Sequence, residues 1–373
     1  MSEYQYYEFQ AIDRPLTPEE QQAVARLSSR VDPHPRRAVF TYSWSDFPAR
    51  SEEVLVRYYD AMLYMANWGS TQLMFRFPES VIDLEGAQAY CQPRYVEEFV
   101  FFSTHGEYVV LNIKFHAEEG GDWIEGEGWL DVLIPLRDDI LRGDYRALYL
   151  AWLKTLEVED VLDSVTEPPV PPGLQELSPA LRRFVELFKI DKKLVQVAAE
   201  ASGDRDTTSD DWLHRAIAQL PRDECDAFLL RLAQGEPHLG LALKRRLRET
   251  GGVEGVVHAA HAPRRTVGQL WDEVERRREL ERKRRAEAAE RRRIERLEAL
   301  AQRETQTWDE IEALIQRSQA KPYDQATRLL SQLKELAAYQ GRETDFEARL
   351  GEVVARYQRR RALLERFRRA GLI

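Results

Sequence analysis

The chain has 373 residues, of which 43% are hydrophobic and 32% are charged, and its formal net charge is −10. This length allows two or three domains, and the hydrophobic fraction is sufficient for a packed core. The charge is unevenly divided, because residues 1–240 carry about −19 and residues 241–373 about +9. Only two cysteines are present, Cys91 and Cys225, which excludes a framework of several disulfide bonds.

The sequence contains no recognisable targeting or membrane segment. Its first residues lack the basic stretch and the apolar run of a signal peptide. The most apolar stretch, 55–77, is interrupted by Arg57, Asp60 and Arg76, so it is not suited to span a bilayer. We therefore expect a cytoplasmic protein that does not associate with membranes.

Strand and helix signals interleave in the first 165 residues. Thr17, Pro18 and Glu20 form a capping box with proline in the first turn, which predicts a helix to about residue 29. Apolar spacing predicts a second helix after Ser51, with a stripe of Leu55, Tyr58, Met62 and Met65. We further predict strands at 4–11, 38–44 and 71–77, a β-hairpin at 96–103 and 108–116, and helices near 127–141 and 143–157.

This order favours an α+β domain at 1–165 whose sheet carries helices on one face, with a ferredoxin-like arrangement as the first expectation. Residues 166–176 contain four prolines and are interpreted as an extended linker. A small helical domain is expected at 177–250, followed by a second linker at 251–265 and a helical arm at 266–373.

The arm is predicted to begin with a helix of about fifty residues, over 266–318. Its first half has few apolar residues but several acidic and basic residues four positions apart, such as Glu281 and Arg285, which stabilise a helix in water. Its second half has a coiled-coil seam that we expect to bind a partner or mediate self-association, formed by Ile294, Leu297, Trp308, Ile311 and Ile315. Two further apolar stripes, ending near Phe367, predict an antiparallel helical unit at the C-terminus.

No nucleotide-binding, hydrolase or metalloprotease motif is present, so we expect no cofactor, no metal and no catalytic residue. Four weaker features have simpler structural explanations. The acidic loop at 118–127 is interpreted as a solvated turn, and His258 and His261 as part of a linker. The helix pair within 178–202 is interpreted as a packing unit, and the aromatic residues of 4–9 as strand core.

Basic side chains near the C-terminus are less well balanced by acids than those of the long helix. They are candidates for phosphate contacts, namely Arg359, Arg360, Arg361, Arg366, Arg368 and Arg369.

The opening residues, 4–16 (YQYYEFQAIDRPL), resemble an actinobacterial-type family of bacterial proteins of unknown function. The similarity continues at 64–69, at 126–130, at the proline-rich segment and at 363–366. The resemblance implies kinship and a bacterial cytoplasmic origin, and it carries no activity, cofactor or site residue. The segment 323–357 is also similar to a tetratricopeptide-type helix pair.

Three functions remain open at this point. The first is a non-enzymatic interaction or scaffold protein, in which an acidic α+β domain docks one partner and the helical arm spaces or joins others. The second is a nucleic-acid-associated accessory subunit of a defence or DNA-processing assembly that uses the basic arm. The third is an unrecognised enzyme in the α+β domain, which a pocket with converging polar groups would support.

Overall fold

The structure is a computed structural model that describes residues 3–29, 31, 33–43, 45–91, 99–116, 126–158, 161–204, 211–236, 239–250 and 264–373. The chain divides into two compact units, Met1–Glu275 (unit 1) and Arg276–Ile373 (unit 2). Unit 1 combines a sheet with helices, and unit 2 is helical throughout.

Six strands of the described residues form one sheet in unit 1, in the order β2-β1-β3-β4-β6-β5, and every neighbouring pair is antiparallel. Gly106 forms the tight turn between the last two strands with φ of +63°, a conformation that glycine adopts without strain. The strands are β1 Gln5–Gln10, β2 Arg37–Tyr42, β3 Ala61–Ala66, β4 Ser70–Pro78, β5 Val100–His105 and β6 Tyr108–His116.

Helices cover both faces of this sheet. On one face Phe9 and Met62 pack against Leu55 of α2, and on the other Phe75 and Leu111 belong to the core that includes Trp152 of α6. Both the capping box at Thr17 and the predicted hairpin of β5 and β6 are confirmed. The helices are α1 Pro18–Ala25, α2 Ser51–Tyr58, α3 Leu84–Gln88, α4 Trp129–Leu133, α5 Pro135–Leu141, α6 Arg146–Val158, α7 Pro179–Leu187, α8 Lys192–Glu200, α9 Asp211–Gln219, α10 Arg222–Ala233 and α11 Leu239–Thr250.

The α+β class of the N-terminal region and the helical class of the C-terminal region are confirmed. The strand order nevertheless differs from the ferredoxin-like arrangement expected within that class. β1 and β2 are adjacent and antiparallel, whereas a split βαβ unit keeps its two strands parallel with another strand between them. Helices also lie on both faces of the sheet. The second predicted helix is also too long. Met62 and Met65 belong to β3, whose residues are buried on both faces of the sheet.

The proline-rich segment 166–176 is packed rather than free. Glu167 is 2% exposed, and its carboxylate accepts two hydrogen bonds of 2.8 Å from Arg265 and one from the hydroxyl of Tyr149. Helices α7 and α8 bury Phe184 and Leu194 in the core that also packs against the sheet. The expected domain boundaries near residues 165 and 250 therefore do not coincide with the boundary between the two units.

The long helix α12, Val267–Gln302, begins inside unit 1 and ends in unit 2. Gly268 allows a close approach at its start, since a Cβ there would lie 2.9 Å from the Cβ of Asp163. Leu270 and Val274 are buried in unit 1, whereas residues 275–292 include no buried side chain. The prediction that 270–292 is helical is confirmed, and Glu281 and Arg285 form the expected ion pair at 2.6 Å.

Unit 2 continues with four helices that share one apolar core. The expected single helix over 266–318 is interrupted at Arg303, where φ is −119°. Trp308 and Phe346 pack with ring centres 5.8 Å apart, and Gly341 ends α14 with φ of +65°. The helices are α13 Glu304–Gln316, α14 Ala320–Gln340, α15 Glu343–Arg356 and α16 Arg361–Arg369.

Candidate functional site

The seam predicted to bind a partner is the core of unit 2. Leu297, Trp308, Ile311 and Ile315 are each at most 3% exposed, and Ile294 is half-buried. The four buried residues pack against apolar residues of α14, α15 and α16 within the same chain. These four side chains are therefore not accessible to another molecule, and the expectation that they bind one is corrected.

The predicted phosphate-contacting arginines divide into two groups. Three make local interactions: Arg366 pairs with Asp324 at 2.6 Å, Arg369 pairs with Glu365, and Arg360 donates to the backbone carbonyl of Ile315. The other three are exposed and form no ion pair with any residue that the structure describes, namely Arg359, Arg361 and Arg368.

Arg360 joins two turns that are far apart in the sequence. Its guanidinium reaches the last carbonyl groups of α13 at Ile315 and lies 3.3 Å from the hydroxyl of Tyr323 in α14. The turn between α15 and α16 therefore lies beside the turn between α13 and α14. That turn carries two further exposed cations, Arg317 and Lys321, which make no ion pair within 264–373.

We name this cluster the basic end of unit 2. Its five cations are Arg317, Lys321, Arg359, Arg360 and Arg361. Two carboxylates of the adjoining helices, Glu312 and Asp324, are paired with Arg356 and Arg366. None of the five cations forms an ion pair with a residue of 264–373, so the surface attracts anions over about a Debye length, roughly 8 Å at physiological salt.

The two units have opposite charge. Unit 2 contains 25 lysines and arginines against 17 acidic residues, so the rest of the chain carries a net charge of −18. The acidic loop predicted at 118–127 lies mostly outside the described residues. Only Gly126 and Glu127 are described, and the side chain of Glu127 is exposed. The segment with His258 and His261 lies outside the described residues. No group of three metal-ligating side chains occurs among the residues that the structure does describe.

A Ser–His–Glu cluster in unit 1 has the residue types of a hydrolase triad but not the geometry. Ser103 donates to Glu52, and Nε2 of His105 lies 2.8 Å from the same carboxylate and 3.3 Å from Oγ of Ser103. A catalytic histidine contacts serine and acid through different ring nitrogens. Here both contacts use one nitrogen, so the cluster ties β5 to α2 and does not support the enzyme hypothesis.

A cavity of about 270 Å³ opens at one end of the sheet in unit 1. Its lining combines aromatic and polar side chains, and burial raises the pKa of the Tyr64 hydroxyl above its ordinary value, so this phenol stays protonated. The lining residues are Tyr64, Ser70, Thr71, Gln72, Phe99, Lys114, Phe115 and His116.

Comparison of the chain with protein-family models, curated proteins and solved structures gives no match. Among the described residues, no helix has both the length and the apolar character needed to cross a bilayer. A function is therefore inferred from the fold, from the basic end of unit 2 and from the sheet of unit 1.

Proposed function

We propose that the chain is a non-enzymatic interaction protein whose unit 2 binds an acidic surface of a protein partner through the basic end. The observation that carries this proposal is the grouping of five cations, drawn from two turns about forty residues apart, none of which forms an ion pair with a residue of 264–373. Arginine and lysine clusters of this kind steer and fix an acidic partner.

The architecture supports a scaffold role. Each unit has its own apolar core, and their net charges of −18 and +8 suit partners of opposite charge. A helix that continues from one core into the other carries an exposed, charged stretch at 275–292 that has no apolar stripe of its own. Unit 1 then provides a second, acidic docking surface.

The test uses full-length tagged protein purified from its native cell at low salt, with the retained proteins quantified. The variant Arg359→Glu/Arg361→Glu reverses two cations of the basic end. The control Arg291→Glu/Arg292→Glu reverses two exposed cations of α12 that form no ion pair within 264–373. We expect the first variant to retain at least about tenfold less of the partner than wild type, because like charges then face each other, while the control retains it.

Equal retention by wild type and the Arg359→Glu/Arg361→Glu variant contradicts the proposal. Treating the complex with nuclease separates a direct protein partner from one held through nucleic acid. A complex that survives nuclease supports the protein partner.

A second candidate is binding to the phosphate backbone of a nucleic acid, as an accessory subunit. It is favoured by the start of α16, where the N-cap residue Arg360 makes no side-chain capping bond and two exposed arginines flank it. Its test is the salt dependence of duplex DNA and RNA binding. Four to five phosphate contacts predict that log Kd rises with log salt with a slope of about +4, and absence of binding at low salt excludes this candidate.

A further inference from the structure

Strand β5 forms one edge of the six-stranded sheet and pairs with β6. At the start of this pairing, the backbone N–H of Lys114 donates to the carbonyl of Phe99 at 2.8 Å. In an antiparallel pair, residues that exchange hydrogen bonds alternate with residues whose N–H and C=O groups point away from the neighbouring strand. The register therefore directs the backbone groups of Phe102 and Thr104 outward from the sheet.

These outward groups are available for pairing. The backbone N–H and C=O groups of Phe102 and Thr104 form no hydrogen bond with any residue that the structure describes, apart from those that the register excludes. Phe102 is half-buried and Thr104 is exposed, so this part of the edge is accessible. The strand also lacks proline, lysine, aspartate and glutamate, which commonly prevent an edge strand from pairing. β5 is therefore suited to receive a further strand.

The opposite edge of the sheet, formed by β2, is partly closed by a local turn. The N–H of Arg37 donates to the carbonyl of His34 at 3.3 Å, and the carbonyl of Arg37 accepts from the N–H of His34 at 2.8 Å. Arg37 also places a charged side chain at that edge, where it pairs with Glu8. Of the two edges, β5 is therefore the one that is better suited to pair with another chain.

A cation lies close to β5 on one face of the sheet. Nζ of Lys114 is 5.5 Å from the ring centre of Phe101 in β5. Lys114 is exposed and forms no ion pair in the described part of the chain. It also lines the cavity at this end of the sheet, and the described lining of that cavity includes no aspartate or glutamate. A strand added beside β5 is therefore favoured when it carries a carboxylate on this face.

The other face of the sheet is apolar at this edge. Val100 is buried and Phe102 is half-buried in the core that includes Trp152 of α6. Alternate residues of an added strand point to opposite faces of the sheet. Apolar residues of that strand therefore lie beside Phe102, and the residues between them lie on the face of Lys114.

We propose that β5 binds an extended segment of a protein partner, in which apolar and acidic residues alternate, by adding that segment to the sheet as a further strand. Backbone hydrogen bonds supply affinity, and the alternating side chains supply selectivity. The charge of Lys114 favours such a partner over a second copy of the chain. β5 itself has no carboxylate, and twofold pairing of two copies places both Lys114 side chains on the same face of the joined sheet. Binding here is independent of the basic end of unit 2.

Fluorescence polarisation of the full chain with a labelled peptide of about seven alternating valine and glutamate residues tests this. The measurement is made at physiological salt, where a Debye length of about 8 Å limits repulsion from the distant acidic residues of unit 1. One matched peptide has every backbone nitrogen methylated, so it cannot donate to the edge, and we expect it to bind at least about tenfold more weakly. A second has glutamine in place of glutamate, and we expect about two- to fivefold weaker binding, because an exposed ion pair contributes little.

Two variants locate the binding to β5. Thr104→Pro removes an outward N–H and leaves the hydrogen bonds between β5 and β6 intact, so it should weaken binding of the glutamate peptide by at least about tenfold. The control Thr104→Val keeps this N–H and should bind as wild type. Lys114→Gln should abolish the preference for glutamate over glutamine.

Circular dichroism of each variant verifies that the fold is retained, and the methylated peptide tests strand pairing on wild type alone. Failure of wild type to bind the glutamate peptide at millimolar concentration overturns the proposal, as does equal binding of the methylated peptide or equal binding by a folded Thr104→Pro. Sedimentation tests the other occupant. A dimer of wild type that Thr104→Pro dissociates would assign the edge to a second copy of the chain and overturn the proposal.

Discussion

Arginine is used differently in the two units. In unit 1, Arg137 is 1% exposed, donates two hydrogen bonds of 2.9 and 2.8 Å to Asp13, and donates a third to the backbone carbonyl of Arg76. Arg76 in turn pairs with the buried carboxylate of Asp60 at 2.6 Å. In unit 2, Arg359 and Arg361 lie in solvent without an ion pair among the described residues.

Burial, and not residue type, therefore distinguishes arginines that stabilise the fold from arginines that can bind a partner. A buried arginine must have its donors satisfied, so it is committed to the fold. An exposed and unpaired arginine contributes little to stability, so it can bind a partner without destabilising the fold. For this reason we propose the interaction surface in unit 2, whose arginines are exposed, and not at the buried arginines of unit 1, Arg137 and Arg146.

The largest effect is expected from Arg137→Met in unit 1. The substitution leaves Asp13 as a largely buried carboxylate without its two charged hydrogen bonds, so it should lower the free energy of unfolding by about 3–5 kcal/mol. Urea unfolding and hydrogen exchange of the sheet amides measure the loss. The control Arg142→Met, at a position that is 56% exposed, should change stability by less than about 0.5 kcal/mol. Equal losses of stability in Arg137→Met and Arg142→Met would contradict the distinction between buried and exposed arginines.

In unit 2, Ile311→Ala should cost about 2–4 kcal/mol, because Ile311 is fully buried in the core of that unit. The loss should be confined to the amides of α13, α14 and α15 in hydrogen exchange, and the oligomeric state should not change. If Ile311→Ala instead had native stability but altered self-association, the seam would be a surface that binds a partner.

A smaller, pH-dependent effect is expected from Glu20→Gln at the start of α1. Hydrogen bonds from Arg14 and from the backbone of Thr17 lower the pKa of Glu20 from 4.5 to about 2. Because the folded pKa is the lower one, its stabilisation is complete above pH 4.5 and is lost as the pH falls through about 2. The variant should be about 1 kcal/mol less stable than wild type at pH 7, and the two unfolding curves should converge toward pH 2. If the difference in stability between wild type and Glu20→Gln did not depend on pH, the ionised Glu20 carboxylate would not be its cause.

The smallest effect is expected from Glu281→Gln in the exposed part of α12. Its pair with Arg285 is solvent-exposed, so the loss should be about 0.3–0.5 kcal/mol and should disappear at high salt. Thermal unfolding in low and high salt measures it. A loss above about 1 kcal/mol would show that this helix depends on more than local pairs.

The sequence was sufficient for the fold class, because capping boxes, turns and periodicity are local signals. It failed at Met62 and Met65, whose helical spacing is accidental. β3 lies in the interior of the sheet and is covered on both faces, so its residues show no alternation of polar and apolar side chains. The preceding Asp60 suggests an exposed helix surface, yet it is buried and paired with Arg76.

The proposed interaction surface was predictable only in part. Heptad spacing identifies Trp308 and Ile311 as seam residues but does not distinguish a partner in the same chain from one in another molecule. The run 359–361 was identified from composition. Arg317 and Lys321 were missed, since only folding of the antiparallel helices brings them beside that run.

The middle of α12 is an exposed helix stabilised by its own ion pairs, in contrast to the buried helix α6 of unit 1. Hydrogen exchange of the amides of 276–292, compared with those of α6, tests it most directly. We expect these amides to exchange more slowly than in an unfolded chain, much faster than those of α6, and faster still when salt screens the ion pairs. Exchange at the unfolded rate, or protection equal to that of α6, would contradict it.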